Sequence, residues 1–170
     1  MESWHRETPG RPPMTSPDTG ETGSLLLDDQ LCFGLYSASR AVTALYRALL
    51  EPLDLTYPQY LVMLALWQQD EQQVKELGAA LNLDSGTLSP LLKRLEKAGL
   101  IKRERQSDDE RSVRIRLTDE GTALRAKAER IPPHVGAAMN LDNAELAKMR
   151  AAMDQLTASV NAYRESYRPS

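Results

Sequence analysis

The chain has 170 residues and a formal net charge of −3, with 41% hydrophobic and 26% charged residues. This length suits one domain, with or without a tail, and the composition is that of an ordinary globular protein. No run of about 18 apolar residues exists, so we expect no membrane span. The N-terminus lacks the apolar region of a signal peptide, and we therefore expect a cytoplasmic protein. With one cysteine and two isolated histidines, we expect no intrachain disulfide, metal site or cofactor.

Residues 1–23 are rich in proline, glycine, serine and threonine and almost free of apolar side chains, so we predict a disordered tail before a domain at 24–170. Helical periodicity then runs from about 28 to 50, with Asp28 or Asp29 as the cap and Pro52 at or just beyond its end.

A second helix is predicted at about 58–69 and a third at 74–81. The predicted apolar side of the second helix comprises Leu61, Leu64, Ala65 and Trp67. A fourth helix follows a turn at 82–86 and ends at Gly99. Its apolar stripe comprises Leu88, Leu91, Leu92 and Leu95. Pro90 is unfavourable inside a helix, so either the first turn is irregular or the helix begins later than Asp84.

An alternating stretch at 113–117 predicts a half-buried strand, paired with 101–106 through a polar loop at 107–111. Thr118 then caps a fifth helix, which Pro132-Pro133 ends, and a last helix runs from about 142 to 163. Residues 93–116 hold nine basic side chains against five acidic ones, a local charge of +4 within an acidic chain. Clustered positive charge of this kind favours binding to nucleic acid.

Two short helices, a tight turn and a basic hairpin predict a mainly α fold with a small β-hairpin wing, a winged helix-turn-helix at about 54–117. The flanking helices, at about 28–50 and 119–165, carry more apolar surface than one small domain needs, which favours dimerisation through the N- and C-terminal helices. The stripe of the last helix comprises Leu146, Met149, Met153, Leu156 and Val160.

Several stretches resemble the MarR family of transcriptional repressors. LDSGTLSPLLKRLE at 83–96 resembles the family's recognition helix, and DDERSV at 108–113 with LT at 117–118 resembles its wing. Within that family, QLCF at 30–33 and LTYPQY at 55–60 resemble the branch that senses organic hydroperoxides, OhrR. The resemblance covers roughly 28–165. It implies a homodimer on a palindromic operator of double-stranded DNA, a repressor and not an enzyme.

The leucine stripe leaves the other side chains of the fourth helix free to contact bases and phosphates. The candidate DNA-binding residues on this helix are Ser85, Thr87, Ser89, Lys93 and Arg94. The alternative is that Lys93 and Arg94 form only a solvated face. The resemblance further implies that Arg111 enters the minor groove and that Asp109 holds it in position.

Cys32 has three interpretations: a small buried hydrophobe, a reactive thiol without consequence, or a peroxide sensor. The resemblance favours the sensor, with Tyr36, Tyr46 and Tyr57 around the thiol. Tyr36 lies one helical turn from Cys32. Tyr46 is fourteen residues on, roughly 21 Å along a straight helix, which is too far for a tyrosine to span, so any thiol that it reaches belongs to the other subunit. The resemblance implies this cross-dimer arrangement for Tyr46 and Tyr57. The alternative is that all three are interface or core tyrosines with a satisfied hydroxyl.

No second cysteine is present to resolve an oxidised Cys32. We therefore expect a mixed disulfide with a small thiol, or a cyclic sulfenamide, as the released state. Two other functions stay open at this stage. One is a MarR-type repressor released by an aromatic or phenolic ligand, with Cys32 structural. The other is a thiol peroxidase, which the DNA-binding pattern disfavours.

Overall fold

A computed structural model describes residues 24–106 and 109–167, so the predicted tail at 1–23 lies outside the described residues. The chain divides into two units, Met1–Ser39 and Arg40–Ser170. The helices are α1 Leu31–Leu50, α2 Tyr57–Gln68, α3 Val74–Leu81, α4 Ser85–Lys97, α5 Asp119–Ala128, α6 Ile131–Met139 and α7 Asn143–Ser166. The strands are β1 Gln72–Gln73, β2 Ile101–Gln106 and β3 Asp109–Leu117. The predicted fold class, mainly helical with a small β-hairpin wing, is confirmed.

In the described part of the first unit, a 3-10 turn at Leu27–Asp29 is followed by the first residues of α1. The prediction that Asp28 or Asp29 caps α1 is wrong, because both lie inside that turn. The Asp29 carboxylate instead accepts a hydrogen bond from Ser24 Oγ at 2.7 Å. The first carbonyl to accept from α1 is that of Gln30, at 3.0 Å from the Phe33 amide nitrogen.

The hydrophobic core lies in the second unit and includes the whole predicted stripe of α4. On α2 the prediction is wrong for Leu64, which is 39% exposed, whereas Ala65 and Trp67 are partly buried against the core. The buried apolar side chains of α2 are Tyr60, Val62, Met63 and Leu66. The residues of this helix are apolar on every side, so their periodicity does not indicate which face is buried.

The three strands form an antiparallel sheet in the order β1-β3-β2. In the hairpin, Ile101 pairs with Leu117 and Gln106 with Asp109. The loop predicted at 107–111 is therefore too long, since β3 already begins at Asp109. Strand β1 has two residues, with Gln72 opposite Ile115, and was not predicted because such a short segment shows no alternation.

The prediction that Pro132-Pro133 ends α5 is wrong, and the prolines belong to a helix that the sequence did not predict, α6. Helix α5 ends at Ala128, and both prolines lie in the first turn of α6, where a missing amide hydrogen costs no helical hydrogen bond. Helix α7 is capped by Asp142, whose carboxylate accepts from the Glu145 amide at 2.8 Å. No residue of α7 is buried, and Met149 is 52% exposed. No helix within 24–106 and 109–167 is long and apolar enough to cross a membrane.

Candidate functional site

Helix α4 begins at Ser85, with Asp84 as its N-cap. The Asp84 carboxylate accepts hydrogen bonds from the Thr87 amide at 2.8 Å and from Thr87 Oγ1 at 3.1 Å. These bonds, the amide first, lower the pKa of Asp84 from its usual 3.8. The cap thus keeps a negative charge at the positive end of the helix dipole.

Pro90 lies inside α4, which begins directly after its cap Asp84, so the proline does not delay the start of the helix. Proline has no amide hydrogen to give to the carbonyl of Gly86 four residues earlier, and its ring crowds that carbonyl. At the other end, Gly99 has a φ of +74°. Its amide donates to the Glu96 carbonyl at 3.0 Å, and the Leu100 amide to the Leu95 carbonyl at 3.0 Å. This left-handed cap turns the chain directly into the wing.

The predicted DNA-binding side chains of α4 lie on its accessible surface. Ser85, Thr87, Lys93 and Arg94 are exposed, and Ser89 is half-buried. At 3.6 residues per turn, Lys93 lies near the middle of the exposed face, opposite the leucine stripe. Ser89 lies on one flank of that face and Arg94 on the other. The Thr87 hydroxyl already donates to Asp84, which limits what else it can bind.

Ion pairs reduce the positive charge that the sequence count suggested. Arg103 Nε lies 3.3 Å from Glu96 Oε2, and Arg116 Nε lies 3.4 Å from Glu71 Oε1. Arg114 donates to the carbonyl of Glu71 at 3.1 Å. Four exposed basic side chains of α4 and β2 make no ion pair with the described residues. They are Lys93, Arg94, Lys97 and Lys102.

The wing is hydrogen-bonded and ion-paired to the turn before β1. The Leu117 amide donates to Asp70 Oδ1 at 2.9 Å, beside the Arg116–Glu71 ion pair. Asp109 and Arg111 lie in the described backbone of β3, but their side chains are outside the described part. Their predicted pairing at the minor groove therefore stays a prediction.

Cys32 is the second residue of α1, and its thiol is free and exposed. Of the three interpretations of Cys32, the small buried hydrophobe does not hold for the chain taken by itself. Tyr36 lies four residues further along the helix, with its ring centroid 6.5 Å from that of Phe33. Cys32 and Tyr36 thus present a thiol and a phenol on one face of the first unit.

In the second unit the structure brings Tyr46 and Tyr57 together, with ring centroids 4.2 Å apart and stacked. Tyr60 lies 5.8 Å from Tyr46 by the same measure. Burial is the main cause that raises the pKa of all three phenols above 10.0, so their hydroxyls stay protonated and able to donate. We define these three residues as the tyrosine cluster. Tyr60 is not among the predicted site residues, although its spacing of three from Tyr57 on a helix is a usable signal.

The tyrosine cluster continues to the base of the wing. The Tyr60 and Trp67 rings meet edge to face at 6.2 Å. Trp67 Nε1 donates to the carbonyl of Gly121 at 2.9 Å. The N-terminus of α2 is fixed by the Gln59 side chain, which accepts from the Thr56 amide at 2.8 Å.

A cavity of about 980 Å³ lies between α1, the start of α2 and the end of α4. Its lining includes Tyr57, Pro58, Arg47 and Arg94. The flank of α4 that carries Arg94 therefore faces a cavity that also touches the tyrosine cluster. Among the described residues no group of three His, Cys, Asp or Glu side chains could hold a metal ion.

Known proteins similar to this chain are transcriptional regulators. The chain is 47% identical over 140 residues to TtmR of Methylorubrum extorquens (strain PA1), covering 82% of this chain and 70% of TtmR. It is 44% identical over 135 residues to the organic hydroperoxide resistance transcriptional regulator of Bacillus subtilis (strain 168), covering 79% of this chain and 92% of the relative. The protein belongs to the MarR family of transcriptional regulators, in the organic-hydroperoxide branch. A family profile described as transcriptional regulator SarA/Rot also matches residues 44–127.

The solved structures agree with this membership. Reduced AbfR bound to DNA is similar to this MarR-family chain with a TM-score of 0.69 and 36% identity, over 81% of this chain and 94% of AbfR. AbfR is from Staphylococcus epidermidis. It has also been solved in an overoxidised form bound to DNA and in a disulfide-formed state.

Proposed function

We propose that this MarR-family protein is a DNA-binding repressor that senses organic hydroperoxides through Cys32. The observation that carries this proposal is the exposed, free Cys32 thiol at the start of α1, in a chain 44% identical to an organic hydroperoxide resistance regulator. Oxidised states of AbfR, a relative at 36% identity, support redox chemistry in this part of the family.

DNA is bound by α4 in the major groove and by the wing in the minor groove. Lys93 and Arg94 contact phosphates or guanine, and the hydroxyls of Ser85, Thr87 and Ser89 reach base edges. Arg111 enters the minor groove next to Asp109. We expect Arg111→Ala to lower operator affinity while thermal unfolding stays unchanged, and equal affinity in a titration would contradict this role.

Two copies act together on a palindromic operator. The apolar side chains of α7 support this, because Met149, Met153 and Val160 are 52%, 39% and 56% exposed in the single chain. A long helix with such a stripe gains most by packing against a second copy. Equilibrium sedimentation tests this, and a monomer at micromolar concentration would contradict it.

The sensing step is oxidation of the thiolate. The Cys32 sulfur attacks the terminal oxygen of the hydroperoxide, the O–O bond breaks, and the alkoxide takes a proton and leaves as an alcohol. The product is a sulfenic acid. It then condenses with a small thiol to a mixed disulfide, or with a backbone amide to a sulfenamide, and releases water in either case. Tyr36 of the same chain, and Tyr46 and Tyr57 of the other, donate hydrogen bonds at the sulfur.

The deciding experiment compares wild type with Cys32→Ser in operator binding, with and without cumene hydroperoxide. We expect both proteins to bind, and only wild type to release DNA on oxidation. Mass spectrometry of the oxidised protein with glutathione present should show a glutathione adduct, or a mass lower than that of the reduced protein by two hydrogen atoms for the sulfenamide. Peroxide release from Cys32→Ser, or a Cys32–Cys32 dimer as the main product, would contradict the proposal.

A second candidate function is release by an aromatic or phenolic ligand, with Cys32 structural. The cavity of about 980 Å³ favours it, because it joins the tyrosine cluster to Arg94 on α4. In this case 4-hydroxybenzoate or a similar acid would release the operator equally from wild type and Cys32→Ser.

A further inference from the structure

The side chain of Arg103 on β2 links the wing to α4. Its Nη2 donates to the Ser89 carbonyl at 3.2 Å, and its Nε lies 3.3 Å from Glu96 Oε2. Ser89 and Glu96 are seven residues apart, two turns along the same flank of α4. One guanidinium therefore contacts α4 at two points, which opposes both rotation and tilt of the helix against the wing.

The burial of this side chain separates it from the other basic residues of the region. The Arg103 side chain is 25% exposed, whereas its neighbour Lys102 is exposed on the opposite face of β2. The Arg103 Nε is buried and not aligned for a hydrogen bond, so Glu96 holds it by charge alone. The guanidinium in turn offsets the negative charge of Glu96 on a helix that has to approach phosphates.

We propose that Arg103 is a positioning residue for DNA binding: it sets the angle between the helix in the major groove and the wing, and it contacts no phosphate itself. This inference rests on the proposed function. The two DNA-contacting elements must reach neighbouring grooves at once, so a loose joint between them lowers affinity for both. A planar guanidinium with several donors suits such a two-point contact better than an ammonium does.

Salt dependence distinguishes positioning from phosphate contact. Each phosphate neutralised adds about 0.9 to the slope of log affinity against log salt concentration. Removal of a phosphate-binding side chain therefore lowers both the affinity and the slope. Removal of a positioning side chain lowers the affinity and leaves the slope unchanged.

The experiment uses the full chain and a duplex selected by the wild-type protein from a random-sequence library. Affinities of wild type, Arg103→Gln, Glu96→Gln, the double variant and Lys102→Gln are measured over a salt series, well below each unfolding temperature. We expect Arg103→Gln to weaken binding about fivefold, equivalent to about 1 kcal/mol, with the wild-type slope. The double variant should bind no more weakly than Arg103→Gln, because the pair is already lost. Lys102→Gln removes the same charge without the contact and should keep the affinity to within twofold. If its affinity does fall further, the salt slope should fall with it.

The outcomes separate the two proposals. Loss of about 0.9 in slope for Arg103→Gln would make it a phosphate contact and overturn the inference, as would unchanged affinity in both Arg103→Gln and Glu96→Gln. A role in stability alone would lower the unfolding temperature without changing the affinity of the folded protein, which also overturns it. If wild type shows no salt-dependent DNA binding, the proposed function itself fails.

Discussion

Replacement of Gly121 by alanine tests how closely the wing is packed against the helix that follows it. Gly121 is buried in the first turn of α5, where its amide donates to Thr118 Oγ1 at 2.9 Å. A Cβ added at Gly121 would lie 2.0 Å from the carbonyl oxygen of Leu100 and 3.3 Å from Leu117 Cδ2. The Leu100 carbonyl is itself fixed, because it accepts from the Thr118 amide at 3.1 Å.

The expected cost follows from that distance. Backbone has to move by on the order of 1 Å before the Cβ contact reaches even 3.0 Å, the shortest seen for real Cβ atoms. Overpacking that side chains can relieve costs about 1–3 kcal/mol, and here the obstacle is backbone, so we expect about 3 kcal/mol or more. The better helix propensity of alanine returns about 1 kcal/mol. The net loss in free energy of unfolding should be at least about 2 kcal/mol.

Two other glycines serve as matched controls in urea unfolding at one protein concentration. A Cβ at Gly136 in α6 meets nothing within 4 Å, so Gly136→Ala should raise stability by up to about 1 kcal/mol. A Cβ at Gly78 would lie 2.9 Å from the Leu83 carbonyl oxygen, and Gly78→Ala should fall between the two. Equal stability of Gly121→Ala and Gly136→Ala would refute the packing argument.

Three further outcomes follow from the contacts described. Thr118→Val removes the acceptor of the Gly121 amide and the donor to the Gly99 carbonyl at 2.6 Å, and should cost about 1–2 kcal/mol in urea unfolding, whereas Thr118→Ser should not. Burial raises the pKa of Tyr46 above 10.0, so the stability that its protonated form contributes is present below pH 10.0 and is lost as the pH rises through the folded-state pKa. Tyr46→Phe should therefore flatten the alkaline fall in thermal stability, and parallel curves would contradict this. Lys93→Gln should lower the salt slope of DNA binding by about 0.9, and an unchanged slope would make Lys93 a solvated side chain.

The sequence predicted those elements whose local signals agree with their packing. The leucines of α4, the left-handed Gly99 and the Thr118 cap all have one low-energy arrangement, and each is found as predicted. It failed where several arrangements were equally compatible with the pattern. Helix α2 is apolar on every side, so only the tertiary structure selects Met63 over Leu64 for the core. The two prolines at 132–133 signal a helix end and a helix start equally well.

The sequence indicates which residues form the candidate site, but not which of them contact one another. Lys93 and Arg94 were assigned to one basic face, but they lie towards different parts of it, and Arg94 lines the cavity beside Tyr57. Arg103 contributes to the positive charge counted at 93–116, but a sequence does not show that its partner is Glu96. Tyr46 and Tyr57 were expected to serve the same thiol. Their stacking on each other is a contact between helices that no spacing along the chain reveals.

These contacts place α4 between two neighbours with different chemistry. On the flank of Ser89 and Glu96 it is held by Arg103 of the wing, through charge and one hydrogen bond. On the flank of Arg94 it borders a cavity that shares Tyr57 with the tyrosine cluster. Tyr57 is the first residue of α2, so under the proposed function a change in its hydrogen bonding acts at the start of this helix. The cap at that end is a local contact of Gln59, and at the other end of α2 Trp67 is hydrogen-bonded to Gly121. A displacement of α2 on oxidation would therefore act on the Arg94 flank of α4, which Arg103 does not contact, and on the base of the wing. Loss of the Arg103 contact should then lower the DNA affinity of the reduced protein by a larger factor than that of the oxidised protein.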